Sequence, residues 1–174
     1  IDGLEIDEKA YEQCVDNFEN SPWSDRLFCY HADLQEFAEE IEDKYDLIIS
    51  NPPFYADHFK TDNKQRDMAR FQDAMPFEHL VVCAAHLLED NGRFSAIIPF
   101  SEEDRFINLA QKVGLFPNQI LNVKGNPNAD IKRSLISFSF HESEIQKEEL
   151  IIETQRHQYA EDYINLTKDF YLKM

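Results

Sequence analysis

The chain has 174 residues, 43% of them hydrophobic, which is enough for one domain with a core of its own. Its 34 acidic and 17 basic residues give a formal net charge of −17. Such a charge argues against a protein that binds nucleic acids or other polyanions without specificity. A local basic patch is still compatible with this net charge. No apolar run reaches the about 18 residues of a membrane span and no signal peptide opens the sequence, so we expect a cytoplasmic protein without a membrane partner.

Predicted strands and helices alternate along the chain. Tyr11, Cys14, Val15 and Phe18 follow the spacing of one buried helix face, and Tyr45–Ser50 is apolar on both faces, as in a parallel sheet covered by helices. The predicted strands are Ile1–Ile6, Leu27–Ala32, Tyr45–Ser50, Arg93–Pro99, Phe116–Val123, Ser134–Phe140 and Glu149–Thr154. The predicted helices are Glu8–Asn20, Leu34–Ile41, Pro76–Leu88, Glu102–Val113 and Tyr159–Tyr171.

Turn and cap residues set the bounds of several of these elements. Gly92 predicts a turn before the strand Arg93–Pro99. Ser101 and Asp104 have the spacing of a capping box at the start of the following helix, and Gly114 suits its end. The three cysteines, Cys14, Cys29 and Cys83, are widely spaced and form no CxxC pair, so we expect free thiols.

This order of elements predicts an α/β fold. Alternating strands and helices build a mostly parallel sheet with helices on both faces. No helix separates Phe116–Val123 from Ser134–Phe140, so these two strands are expected to form an antiparallel C-terminal hairpin. Without a repeat, a linker or a composition break, residues 1–174 are interpreted as a single domain.

Acidic residues lie at the ends of the first two predicted strands. Glu5 and Asp7 lie at the end of the first strand, and Asp33 at the end of the second. Open α/β sheets bind ligands at the carboxyl ends of their strands, where an acid suits ribose hydroxyls or the exocyclic amine of adenine. The alternative is structural, because Asp7 and Asp33 each precede a helix that they can cap.

The third strand ends in the sequence "SNPPFY". Asn51 offers an acceptor oxygen, and Pro52 offers a carbonyl oxygen on a chain whose φ is fixed by its ring. An amine between these two acceptors would be held at a defined position, and Phe54 or Tyr55 can stack on a planar base. The alternative is a turn that leaves the strand with an aromatic residue packed inward.

The stretch "DLIISNPPF", residues 46–54, resembles the (D/N/S)PP(Y/F/W) motif of S-adenosylmethionine-dependent amino methyltransferases with a Rossmann-like fold. "GLEID" and "HADL" look like the ribose-binding and adenine-binding strand ends of that family. The segments "SPW", "QRDMAR" and "YINLTKDFY" are similar to bacterial methyltransferases of the adenine next to the anticodon of tRNA(Val). The glycine-rich loop of the family and the strand before it do not occur here. We therefore expect a sheet truncated at the N-terminus, belonging to a partial catalytic domain of a longer protein.

The resemblance implies methyl transfer from S-adenosylmethionine to the N6 amine of an adenine in tRNA, with S-adenosylhomocysteine as product and without a metal. Two hydrogen bonds would aim the amine lone pair at the methyl group, so no strong general base is needed. The implied catalytic residues are Asn51, Pro52 and Phe54. The implied cofactor-binding residues are Glu5, Ile6, Asp33, Leu34 and Asn51. The implied substrate-binding residues are Pro53, Tyr55, Lys64, Arg66 and Arg70.

Alternatives remain for the substrate and for the basic residues. The same site could methylate DNA adenine, rRNA guanine or a protein glutamine, and a fragment without the glycine-rich loop could be a non-catalytic binding module. The predicted long loop Ala56–Ala74 carries several cations, and so does the hairpin connection, so each is either a track for RNA phosphates or a solvated loop. These cations are Lys60, Lys64, Arg66, Arg70, Lys124, Lys132 and Arg133.

Overall fold

The computed structural model describes residues 1–52 and 76–172, and the chain divides into two compact units, Ile1–Asp43 and Lys44–Met174. The strands are β1 Asp2–Glu5, β2 Phe28–His31, β3 Tyr45–Ser50, β4 Leu88–Pro99, β5 Phe116–Lys124, β6 Ile131–Ser139, β7 Gln146–Ile151, β8 Glu153–Gln155 and β9 Gln158–Tyr159. The α-helices in this part of the chain are α1 Glu8–Glu19, α2 Leu34–Glu40, α3 Phe77–Leu87, α4 Glu103–Lys112 and α5 Glu161–Thr167. The loop predicted over Ala56–Ala74 lies outside the described residues, and the single domain over 1–174 stays a prediction.

The first unit is a two-stranded parallel sheet with two helices. β1 and β2 pair in register from Asp2 with Phe28 to Glu5 with His31. Helix α1 forms where the apolar spacing predicted it, but its four apolar side chains are only half-buried. The buried side chains of this unit are Phe37 and Ala38 of α2.

The second unit is built on a five-stranded sheet with the order β3-β4-β6-β5-β7. β3 and β4 are parallel, whereas β6 runs antiparallel to both β4 and β5. The predicted α/β fold and its antiparallel hairpin are confirmed. β7 was expected as a short strand, but its parallel pairing with β5 was not foreseen. In the described residues β1 and β3 belong to separate sheets.

Four phenylalanine rings form the centre of the second unit's core. Phe94 of β4, Phe106 of α4 and Phe138 of β6 are fully buried, and Phe77 of α3 is 7% exposed. The Phe106 ring centroid lies 4.9 Å from that of Phe77, edge-on, and 5.8 Å from that of Phe138. Rings in this range interact favourably beyond the area they bury, so this cluster joins α3 and α4 to one face of the sheet.

The other face of this sheet differs from the expectation of helices on both sides. Leu47 and Ile49 of β3 are 53% and 74% exposed, and Leu135 of β6 is 38% exposed. These side chains alternate with the buried ones because successive strand residues point to opposite faces. Within the described residues, therefore, only one face of β3 is packed, and the prediction that both are buried is wrong here.

Three local predictions can be compared with the observed bounds. The predicted capping box is wrong, because Ser101 lies in a 3-10 turn, Phe100–Glu102, and Glu102 occupies the N-cap of α4 without a side-chain cap bond. Gly114 ends α4 as predicted, with a φ of 84°, which glycine adopts easily. β4 begins at Leu88, directly after α3, so the turn expected at Gly92 is instead part of a strand.

The C-terminal helix is shorter than predicted. α5 covers Glu161–Thr167 and follows a small β8–β9 hairpin that the sequence did not indicate. The rings of Tyr159 and Tyr163 lie 5.5 Å apart, whereas Leu166 and Phe170 are 57% and 85% exposed. None of the described helices has the length and apolarity needed to cross a membrane.

Candidate active site

Glu5 and Asp33 of the first unit lie at the same edge of its sheet. β1 and β2 are parallel, so the residues after Glu5 and after His31 leave the sheet at the same edge. Glu5 Oε1 accepts hydrogen bonds from the backbone N–H groups of Ile6 at 2.8 Å and Asp7 at 2.9 Å. These bonds hold the carboxylate at the strand end, and the Ile6 side chain beside it is 67% exposed.

The helix-capping role that was the structural alternative for Asp7 and Asp33 is confirmed for both residues. Asp7 Oδ1 accepts from the Ala10 N–H at 2.9 Å and caps α1, and Asp33 Oδ1 accepts from the Gln35 N–H at 2.7 Å and caps α2. Each cap satisfies a donor that the first helical turn would otherwise leave without a partner. Capping uses one carboxylate oxygen of Asp33 and fixes the carboxylate at the strand end.

His31 and the cysteines of the first unit have structural partners. The His31 ring stacks on Tyr11 with centroids 5.0 Å apart, and its Nε2 lies 3.1 Å from the Ile6 carbonyl oxygen. Burial, together with the neighbouring Cys14 thiol, raises the pKa of the Cys29 thiol to about 11. Cys29 is thus protonated at neutral pH, and Cys14 and Cys29 are free thiols, as predicted. The described residues contain no group of three or more metal-ligating side chains.

Asn51 and Pro52 of the second unit follow the carboxyl end of β3. Ser50 pairs with Ala96 of β4, so these two residues continue beyond the last paired row of the two strands. Pro52 is buried and Asn51 is exposed. Pro52 is thus held in the interior, whereas the Asn51 side chain next to it remains accessible.

Asn51 also borders a cavity of about 410 Å³ on the open face of the sheet. Ile49, Ile97 and Leu135 give it an apolar floor, and the hydroxyls of Ser95 and Ser137 lie 3.4 Å apart within it. Alternation along β4 and β6 places these side chains opposite the phenylalanine core.

The structure thus places six of the predicted site residues. Glu5, Ile6, Asp33 and Leu34 share one sheet edge of the first unit, and Asn51 and Pro52 share one strand end of the second. The remaining predicted site residues lie outside the described residues: Pro53, Phe54, Tyr55, Lys64, Arg66 and Arg70.

Sequence reasoning missed a buried polar cluster near the same end of the second sheet. Glu103, Asn122 and Ser134 are 6%, 3% and 0% exposed. The sequence did contain an indication of this cluster. Asn122 and Ser134 are polar, although they occupy inward positions in strands whose other inward residues are apolar.

Comparison with known protein families gives a methyltransferase match. The UPF0020 family (RMKL-like, methyltransferase domain) matches residues 1–79. Among solved structures, a predicted O-methyltransferase from Agrobacterium tumefaciens superimposes with a TM-score of 0.71 at 17% identity, covering 96% of this chain and 76% of that one. Fibrillarin of Aeropyrum pernix, in complex with S-adenosyl-L-methionine, gives 0.51 at 12% identity, covering 79% and 54%. The chain therefore has the fold of the S-adenosylmethionine-dependent methyltransferases.

Two curated relatives are far more similar to this chain in sequence. The tRNA1(Val) (adenine(37)-N6)-methyltransferase of Flavobacterium psychrophilum is 60% identical over 174 residues, which cover all of this chain and 74% of that protein. The protein of the same name from Flavobacterium johnsoniae is 62% identical over 175 residues, with the same coverage. Identity at this level over the whole chain shows common descent, and the chain belongs to the tRNA1(Val) (adenine(37)-N6)-methyltransferase family.

Proposed function

We propose that this protein transfers a methyl group from S-adenosylmethionine to the N6 amine of adenine 37 in tRNA1(Val). The observation that carries the proposal is the identity of 60% and 62%, over the whole chain, to relatives with that activity in their names. The exposed amide of Asn51 at the end of β3 adds a chemical reason, because it suits a substrate with an amine. A tRNA substrate would place the protein in the cytoplasm.

The first unit supplies side chains that suit the cofactor. When bound, S-adenosylmethionine supplies an activated methyl group on a sulfonium. Carboxylates at the ends of adjacent parallel strands can accept hydrogen bonds from a ribose diol and from an adenine amine. We assign the ribose to Glu5 and the adenine amine to Asp33, with Ile6 and Leu34 as apolar contacts of the adenine ring.

The second unit supplies acceptors for the target amine. The Asn51 side-chain oxygen and the Pro52 carbonyl oxygen would each accept one N–H of the adenine N6 group. This pairing favours a pyramidal nitrogen whose lone pair points away from the protein acceptors and toward the methyl group. Catalysis then consists mainly of positioning, which can be worth several orders of magnitude in rate.

The base must leave its stack to reach these acceptors, as is general for enzymes that act on base atoms. We assign Phe54 as the stacking face, with Pro53 and Tyr55 as further walls of the pocket. Stacking of this kind is worth about 1–3 kcal/mol per base. Lys64, Arg66 and Arg70 are assigned to phosphates of the tRNA.

Replacing Asn51 with alanine tests this assignment. We expect the Asn51→Ala protein to lose methyl transfer by about 100-fold or more, because the amine loses one of its two acceptors and its orientation. Methyl incorporation from labelled cofactor into tRNA1(Val), with mapping of the modified nucleoside, measures the effect.

Asn91→Ala is the matched control. Asn91 is an exposed asparagine near the amino end of β4, at the opposite end of the strand from the candidate site. It should keep wild-type activity. Retention of more than a tenth of the activity by Asn51→Ala would show that Asn51 does not orient the amine. Methylation of total DNA, rRNA or protein by the wild type, without methylation of tRNA, would overturn the proposed function itself.

A further inference from the structure

A buried carboxylate lies at the start of α4, away from the residues assigned to the chemistry. Glu103 is 6% exposed. Its Oε2 accepts a hydrogen bond from the Ser134 hydroxyl at 2.5 Å, and its Oε1 forms an ion pair with Lys147 Nζ at 2.9 Å. A buried charge is costly unless it is paired and hydrogen-bonded, and here both oxygens have a partner.

The hydrogen bonds extend from Glu103 into the sheet. Ser134 Oγ also lies 3.1 Å from Asn122 Oδ1, and the fully buried hydroxyl has one proton to donate. A charged acceptor forms the stronger bond, so this proton goes to Glu103. Rotation of the Asn122 amide then lets its NH₂ group donate to Ser134. Four side chains, from α4, β5, β6 and β7, are thereby joined in one network.

The network lies at the same sheet edge as Asn51. Ser50 pairs with Ala96 of β4, and Ser134 pairs with Ile98, two residues further along β4. Two residues of a strand span about 7 Å, so Ser134 is slightly closer than Ser50 to the carboxyl end of β3 and β4. Asn122 pairs directly with Ser134, and the β5–β6 connection, residues 125–130, begins shortly after.

We propose that Glu103 is a positioning residue that holds the start of β6, next to the β5–β6 connection, in the geometry that binds tRNA. This inference rests on the proposed function. Lys132 and Arg133 belong to the first residues of β6 and directly precede Ser134, so the network supports the strand end that carries them. Lys and Arg contacts to phosphates set the register of a protein on nucleic acid. Glu103 itself touches no substrate.

A network of this kind does more than add stability. Apolar residues of similar volume would fill the same space at little or no cost in stability, whereas a fully satisfied polar network admits one arrangement of its partners. The chain pairs a second cation at this end of the sheet in a similar way, since Lys124 Nζ lies 2.8 Å from Glu149 of β7. The ends of β5 and β6 that flank the connection are thus held to β7 and to α4.

The test separates tRNA binding from the other properties of the enzyme. Glu103→Gln preserves the shape of the side chain but removes the charge opposite Lys147. We expect the KM for tRNA1(Val) to rise about tenfold, the effect of losing one charge-assisted hydrogen bond. The kcat at saturating tRNA and the Kd for S-adenosylmethionine should stay within about twofold, because the connection carries no assigned catalytic or cofactor residue. Ser134→Ala should give the same pattern.

Lys147→Met completes a double-mutant cycle. If Glu103 and Lys147 act as a pair, the combined variant should raise KM by less than the product of the single effects. Glu78→Gln is the matched control, because Glu78 pairs with Arg105 at 3.1 Å on the surface, with its side chain 48% exposed. It should leave KM unchanged.

The outcomes distinguish this inference from the proposed function. If the wild type does not methylate tRNA1(Val), the proposed function fails and this inference fails with it. If the wild type is active, but Glu103→Gln and Ser134→Ala lower the melting temperature without raising the KM for tRNA, the network is structural only. Poor folding of Glu103→Gln leaves Ser134→Ala, which lacks only a hydroxyl, to decide between these results.

Discussion

At the scale of a single residue, Asp33 has an observed cap role and a proposed cofactor role, and the two can be separated chemically. It caps α2 through Oδ1, and we assign it to the adenine of the cofactor. Asparagine caps a helix as well as aspartate does, but it carries no charge. A charge-assisted hydrogen bond is roughly twice as strong as a neutral one.

Asp33→Asn should therefore keep the free energy of unfolding within about 0.5 kcal/mol of the wild-type value while raising the Kd for S-adenosylmethionine about fivefold. Asp33→Ala should lose about 1 kcal/mol of stability as well. Chemical unfolding and calorimetric titration measure the two quantities. Asp7→Asn is the control, since Asp7 caps α1 at 2.9 Å and has no assigned ligand. A Kd unchanged by Asp33→Asn would leave the cap as its only role.

The position of some candidate residues in the fold could be predicted from the sequence. Asn51 and Glu5 lie at strand ends, as predicted. The cap role of Asp33 was recognised as an alternative, but helical geometry is needed to show that the cap forms. The Glu103–Lys147 pair could not be predicted, because a contact between residues 44 positions apart depends on tertiary packing.

At the scale of elements, the transition from α3 to β4 occurs without a loop, and Gly92 lies close to both β3 and the start of β4. A Cβ at Gly92 would lie 2.9 Å from the Leu88 side chain and 2.9 Å from the Tyr45 carbonyl oxygen. The ladder between β3 and β4 shifts register between Tyr45 and Leu47, at the same place. Glycine thus allows a close approach that other residues would block.

We expect Gly92→Ala to destabilise the protein by about 1–3 kcal/mol, since the backbone oxygen of Tyr45 cannot move away as a flexible side chain can. Denaturant unfolding followed by circular dichroism measures the change. Gly125→Ala is the control, because a Cβ there would meet no atom within 4 Å. Equal stability of the two variants would mean that β3 and β4 adjust without cost.

The elements themselves were largely predictable, and their pairings were less so. β3 has the predicted bounds because its apolar run ends sharply at Asn51. β4 begins earlier than predicted, because local turn propensity at Gly92 gives way to pairing between Leu88 and Tyr45. The β5–β7 ladder joins strands separated by β6 in the chain, and no local pattern encodes such a register.

At the scale of the whole molecule, charge sets a constraint on tRNA binding. The formal net charge of −17 repels a polyanion at long range, so affinity must come from local clusters of cations. Arg66 and Arg70, in the segment that follows the motif, are the residues assigned to phosphates there.

Reversal of both charges, in Arg66→Glu with Arg70→Glu, should raise the KM for tRNA1(Val) by about tenfold or more at low salt. It should also make the slope of log K against log salt shallower by about 1.4, because each lost phosphate contact removes about 0.7 for single-stranded nucleic acid. Steady-state kinetics and binding titrations between low and moderate salt provide both numbers.

Lys9→Glu with Lys168→Glu is the matched control, because it changes the net charge equally at two exposed positions in α1 and just after α5. If general repulsion governed binding, both double variants would weaken it to the same degree and leave the salt slope unchanged. If Arg66 and Arg70 bind phosphates, only their variant reduces the slope. Unchanged KM and slope at low salt would show that the segment after the motif is a solvated loop, and that the phosphate contacts lie elsewhere.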